Sequence, residues 1–255
     1  MGRVITACAA VLLGTLAFSS IAGAITNGSP DGVAHPEVGA LLAPVAYSDG
    51  TWATCSGTLI SPTVFLTAAH CDQGVSRVAV TFASSYVAGT SKTYWGAWNA
   101  DPRFRGAQGD PHDLAVVVLD KAVVGITPAH LPAAGSLDKI SPDTRFTSVG
   151  YGAQSVTVDH GQTFHYADIR YVSTGGLYTT TKTWLKISMN PAHGDGGTCY
   201  GDSGGPNFLG AGSTETDIVA GTTITGDFTC RATNVDYRLD TDSARLFLGQ
   251  FVMLP

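Results

Sequence analysis

Charged side chains are scarce in this chain: Asp, Glu, Lys and Arg make up 13% of its 255 residues, about half the roughly 25% usual in soluble domains. The Lys and Arg residues stand singly and form no basic run. That excludes an electrostatic grip on nucleic acid. There is no Cys-x-x-Cys pair, so a thiolate zinc site is not expected. Internal repeats and low-complexity tracts are also missing. With 44% hydrophobic residues, the chain is too apolar for disorder.

Glycine, by contrast, is abundant at 31 residues without a collagen period, which suits many short strands joined by tight turns. The first 24 residues run from Met-Gly-Arg through an apolar stretch to Ala22-Gly23-Ala24, the pattern of a cleaved secretory signal peptide. Small residues and Ser19-Ser20 interrupt the stretch before it reaches membrane-spanning length. We therefore expect a secreted, extracellular protein with no membrane attachment after cleavage. The formal net charge is −6, and loss of Arg3 with the leader makes the mature chain more acidic. Four cysteines then remain, Cys55, Cys71, Cys199 and Cys230, an even number in an oxidising compartment. Three pairings are open. The pairing 55–71 with 199–230 would close loops of about 16 and 31 residues, each worth roughly 3–4 kcal/mol in the chain-entropy description.

Runs rich in Val, Ile, Thr and aromatics recur between Gly, Pro, Asp and Ser clusters. They predict strands at 38–46, 51–60, 64–68, 76–83, 114–119, 145–150, 165–173, 183–189, 217–225 and 233–239. Leu185, Ile187 and Met189 alternate with polar residues as in a half-buried strand, whereas 114–119 reads as buried on both faces. Only the end looks helical, with Asp242 as the cap of a segment carrying Ala244, Leu246, Phe247, Leu248, Phe251 and Val252. The fold class is all-β, an antiparallel sandwich or barrel pair with a C-terminal α-helix. The polar stretch 134–143 divides it into halves 25–135 and 136–255.

Three settings carry chemistry. Thr198-Cys-Tyr-Gly-Asp-Ser-Gly-Gly-Pro206 forces a tight loop with Ser203 at its tip, where the N–H groups of Gly201 and Ser203 can converge on one anionic oxygen. Leu66-Thr-Ala-Ala-His-Cys71 ends an apolar strand with His70, and Asp113 stands at the mouth of the 114–119 strand. A serine hydroxyl hardly ionises at neutral pH, so an imidazole must take its proton, and a carboxylate must orient that imidazole. His112 adjoins Asp113, but strand alternation sends neighbours to opposite faces, so His70 is the preferred base. His35, His130, His160, His165 and His193 read as solvated residues of turns or polar strands. Asp110 and Asp195 are further carboxylates without an assigned role.

Together these motifs make the chain similar to the chymotrypsin/trypsin-like serine protease family. Ile25-Thr-Asn-Gly28 resembles its mature N-terminus, Cys55-Ser-Gly-Thr-Leu-Ile60 the strand before its histidine, and Val149-Gly-Tyr-Gly152 another of its motifs. The resemblance implies two six-stranded antiparallel β-barrels with the active site between them. It implies a serine endopeptidase acting through an acyl-enzyme, with His70, Asp113 and Ser203 catalytic and Gly201 and Ser203 as the oxyanion hole. Asp202 would pair with a free Ile25 ammonium, exposed directly by removal of the leader. Thr26 departs from the aliphatic residue usual there. Asn27-Gly-Ser29 fits a glycosylation acceptor, but in a segment expected to insert.

By the same resemblance, Gly197 floors the primary pocket and Thr198, Tyr200 and Gly226 line it, with Asn234 near the opposite wall. Without an aspartate at 197, an apolar residue before the cut is expected, although Asp227 and Asp236 could bring charge nearby. Residues 72–95 hold only Asp72 as a carboxylate, too few oxygen ligands for the calcium loop some members carry. No metal and no cofactor is expected. The expected partners of a monomer are protein or peptide substrates and protein inhibitors. Two other readings are a non-catalytic protease-like binding module and a serine esterase. Gly201-Asp-Ser-Gly-Gly205 literally fits the esterase elbow, yet no strand–helix alternation surrounds it.

Overall fold

The computed structural model describes residues 25, 27–105, 109–158 and 161–255. The proposed leader, Thr26 and His160 lie outside the described residues. Among the described residues, fifteen strands and one α-helix follow in chain order. The first seven strands are β1 (Ser29–Pro30), β2 (Val38–Leu42), β3 (Ala53–Ser61), β4 (Val64–Thr67), β5 (Arg77–Thr81), β6 (Thr93–Ala100) and β7 (Ala115–Leu119). After them come β8 (Arg145–Gly150), β9 (Ser155–Val158), β10 (Gln162–His165), β11 (Tyr171–Thr180), β12 (Trp184–Ser188), β13 (Pro206–Leu209), β14 (Val219–Gly226), β15 (Thr233–Arg238) and α1 (Asp242–Leu248).

Strands β2-β3-β4-β7-β6-β5 close into one antiparallel barrel. The ring β8-β11-β12-β15-β14-β13 closes through the β11–β8 pairing into a second, to whose β11 the short β1 adds. Closure removes sheet edges, and each barrel fills with its inward residues. Leu41, Leu59, Phe65, Val80 and Val117 fill the first; Phe146, Leu185, Ile187 and Ala220 fill the second. A third cluster joins Val38 and Leu66 to Val149, Phe208 and Leu248, so the barrels share a core where they meet.

Leu185, Ile187 and Met189 all point inward, and 115–119 is almost wholly buried, as their patterns required. Several expectations need correction. Strand β6 was not foreseen, because Gly96 breaks its pattern. That glycine is required: a Cβ there would come 2.6 Å from both Val117 Cγ1 and the Val118 carbonyl. The expected 165–173 strand is really the end of one hairpin, β9–β10, and the start of the long β11. The helix cap is Thr241, whose hydroxyl accepts from the Ala244 N–H, with Asp242 inside the first turn. Phe251 and Val252 fall beyond the helix, which presents Ala244, Phe247 and Leu248 to the core.

Candidate active site

The loop 198–206 and the end of β4 meet because glycines permit it. Gly204 has φ +81°, and a Cβ there would lie 2.1 Å from Thr67 Oγ1 and 2.5 Å from the Ser56 carbonyl oxygen. The Ser56 N–H donates to the Ser203 carbonyl at 2.8 Å, and the Ser56 hydroxyl to the Gly201 carbonyl at 3.1 Å. Ser203 is thereby pinned against the barrel whose β4 leads into His70. Within the loop, Asp202 N–H donates to Cys199, Gly204 N–H to Thr223 and Gly205 N–H to Asp202. Among the described residues, the N–H groups of Gly201 and Ser203 have no acceptor.

His70 and Ser203 line one cavity of about 340 Å³, together with Thr198, Tyr200, Ile224 and Gly226. Asp113 holds His70 twice: the His70 N–H donates to Oδ1 at 2.9 Å, and Nδ1 lies 2.7 Å from Oδ2. The carboxylate is largely buried while the imidazole keeps a third of its side chain exposed. A neutral imidazole donating Nδ1–H to Asp113 leaves Nε2 able to accept a proton.

Asp202 is fully buried, its oxygens accepting from the N–H groups of Gly152 and Cys199, each at 2.8 Å. Burial pushes its carboxyl up to about 7, against those two hydrogen bonds. Room for it explains the Gly-Tyr-Gly motif, since a Cβ at Gly150 or Gly152 would approach the carboxylate within 2.2 or 2.5 Å. Ile25 is wholly buried, with its neighbour Asn27 donating its amide to the Asp195 carbonyl at 3.0 Å. That bond occupies the amide a glycan would need.

Thr198, Tyr200 and Gly226 line the cavity, whereas Gly197 is not among its lining residues. The space beside Gly197 is taken by Met189, whose Sδ would sit 2.2 Å from a Cβ there. Thr198 Oγ1 donates to Asn234 at 2.6 Å, beginning a buried polar chain that continues through Asn207 to Asp236. Burial pushes Asp236 up to about 8. Asp227 is on the cavity wall, its carboxylate held down at about 2, against burial, by the Thr229 hydroxyl and the N–H groups of Thr233, Ala232 and Arg231.

The other histidines lie elsewhere. His112 bonds Ser243 at 2.9 Å, His130 pairs with Asp217, and His165 and His193 are exposed. Expected to be solvated, His35 is instead buried. Its Nδ1 bonds Asp31, and its Nε2 lies 2.6 Å from Glu215. Asp195 pairs with Arg145 at 2.9 Å and Asp110 accepts from Tyr237 at 2.6 Å. The disulfides are Cys55–Cys71 and Cys199–Cys230. Cys55, His70 and Cys71 cluster, but their sulfurs are joined to each other, leaving a metal only the imidazole.

A double barrel with a histidine, a buried carboxylate and a serine loop at one cavity defines a class, the serine hydrolases of this fold. The Trypsin family model matches residues 34–246, and the chain belongs to that family. It is similar to Serine protease 1 and Serine protease 2 of Drosophila melanogaster, each 28% identical over 195 residues, covering 73% of this chain and 71% of the relative. The protein is a serine endopeptidase.

Proposed function

We propose that the endopeptidase works through Ser203 as nucleophile, His70 as general base then acid, and Asp113 as the group that orients His70. The observation that carries this is the double hold of Asp113 on His70, at the same cavity as Ser203. As Ser203 attacks the scissile carbonyl, its proton passes to His70, and the imidazolium is stabilised by Asp113. The negative oxygen is received by the N–H groups of Gly201 and Ser203, which have no other acceptor among the described residues. His70 then protonates the leaving amine, and water releases the acyl group by the reverse path.

The substrate enters as a strand. Beyond Thr223, whose backbone still bonds Gly204 and Gly205, β14 pairs only with β15 among the described residues, so Ile224–Gly226 offers an open backbone edge beside Ser203. The side chain preceding the cut enters this cavity, where Ile224 and Gly226 offer apolar wall and no carboxylate stands at position 197, so an apolar residue is proposed over Arg or Lys. Cleavage-site mapping on a mixed peptide library, with Ser203→Ala as control, tests both points. Cuts after apolar residues that vanish in the variant are expected. Cuts after Arg, or cuts that persist, overturn the reading.

Activation follows from Asp202, a buried carboxyl with no cation beside it among the described residues. Removal of the leader after Ala24 frees the Ile25 ammonium to pair with it, so the enzyme matures on export without a separate activation peptide. The active secreted enzyme should therefore begin at Ile25; a start further downstream contradicts this. Among the described residues no helix is long and apolar enough to cross a membrane, and the two disulfides suit an extracellular protein. Division at 135/136 puts β1–β7 in one half and β8–α1 in the other. Its partners are protein or peptide substrates and protein inhibitors that occupy the same cleft.

A further inference from the structure

At the cavity mouth stands Tyr200, one of a run of aromatic rings that the bond-breaking chemistry does not use. Tyr200 is 44% exposed and Phe228 67% exposed, a large apolar area to leave in water. Tyr200 follows Cys199 on one wall, and Phe228 follows Gly226 and Asp227 on the other. The Cys199–Cys230 disulfide ties the walls together. The two rings meet edge to face, centroids 6.4 Å apart. On the other side of Tyr200, Phe164 from β10 meets it at 4.6 Å, also edge to face. The result is a row of three rings.

We infer that the Phe164–Tyr200–Phe228 row is a docking strip for the polypeptide substrate, selecting aromatic or large aliphatic residues on both sides of the scissile bond. The occupant follows from continuity, because Tyr200 lines the same cavity as Ser203 and His70. Phe228 lies just past the open edge Ile224–Gly226, where the residues preceding the cut run. Phe164, at the opposite end, meets the residues that follow it. The Asp227 carboxylate beside Phe228 disfavours acidic residues on the preceding side.

This rests on the protease reading above, and the experiment separates the two. Fluorogenic peptides share one residue in the cavity and carry Phe, Leu, Gly or Glu at the flanking positions. Their kcat/KM values are measured for the wild type and for Phe228→Ser, Phe228→Leu and Phe164→Ser. The wild type should prefer Phe over Gly by about five- to tenfold on each side. Phe228→Ser should abolish the preference on the preceding side only, Phe228→Leu should keep most of it, and Phe164→Ser should abolish it on the following side only. Flank preferences that are absent from the wild type, or unchanged in the variants, overturn the strip. Each preparation is also treated with a sulfonyl fluoride. Labelling at Ser203 without flank preference overturns the strip alone, whereas cleavage without labelling overturns the reading beneath it.

Discussion

At the scale of single residues, the loop is set by what it cannot hold. Gly204 combines a left-handed φ with contact against Thr67 and Ser56, so no side chain fits without moving Ser203 off the first barrel. Gly204→Ala should lower kcat/KM by about 100-fold or more, since misplacement of an ångström costs that much. Activity near the wild-type level would show that the loop has slack. Asp236 is a different kind of residue. It is buried, its Oδ2 has no partner among the described residues, and burial pushes it from 3.8 to about 8. The folded protein therefore holds a proton that the unfolded chain releases, and this group makes stability fall as pH rises from about 4 to about 8. Asp236→Asn, compared in urea unfolding on the inactive Ser203→Ala background, should gain on the parent as pH rises through that window. A difference that is flat with pH would contradict the shift.

At the scale of elements, the N-terminal segment is bound to both barrels by a buried charge cluster. Arg170, just before β11, is fully buried. Its Nε bonds Asp31 at 2.7 Å, and its other nitrogens reach the carbonyls of Gly32, Val38 and Phe82. Arg170→Ala would leave buried Asp31 with His35 as its only side-chain partner among the described residues and should cost about 3–5 kcal/mol in unfolding free energy, whereas a loss under 1 kcal/mol would make the cluster incidental. Burial lowers the His35 pKa, but bonds to Asp31 and Glu215 outweigh it and hold it above 6.5. Its contribution is complete below pH 6.5 and is lost as pH rises through the folded value. His35→Ala should therefore cost more at pH 6 than at pH 9; an equal cost at both would contradict the assignment.

This cluster also marks where sequence reading failed. His35 looked like a turn residue because Glu215 and Arg170 stand far away in the chain, and no local pattern announces such partners. The strand at 184–188 was legible because its alternation is local, and 145–150 because its strand-forming residues stand between turn-forming ones. Strand β6 was hidden by a glycine whose necessity only Val117 and Val118 reveal. The loop 198–206, His70 and Asp113 were legible as motifs, since their glycines, cysteines and strand ends stand beside them in sequence. The aromatic rim was not, because Phe164, Tyr200 and Phe228 come from three separate segments.

At the scale of the whole molecule, the proposed catalysis depends on the junction between barrels. In the proposed mechanism the first barrel supplies His70 and Asp113, the second supplies Ser203 and the open edge of β14, and the shared core fixes one against the other. Two disulfides reinforce the same place, one beside His70 and the other beneath the cavity mouth. The most direct test is to treat the purified enzyme with a sulfonyl fluoride, then locate the adduct by peptide mass mapping, alongside His70→Ala and Ser203→Ala. A single adduct on Ser203, much slower in His70→Ala and missing in Ser203→Ala, is the predicted result. An adduct on any other residue, or undiminished labelling of Ser203→Ala, would contradict the account.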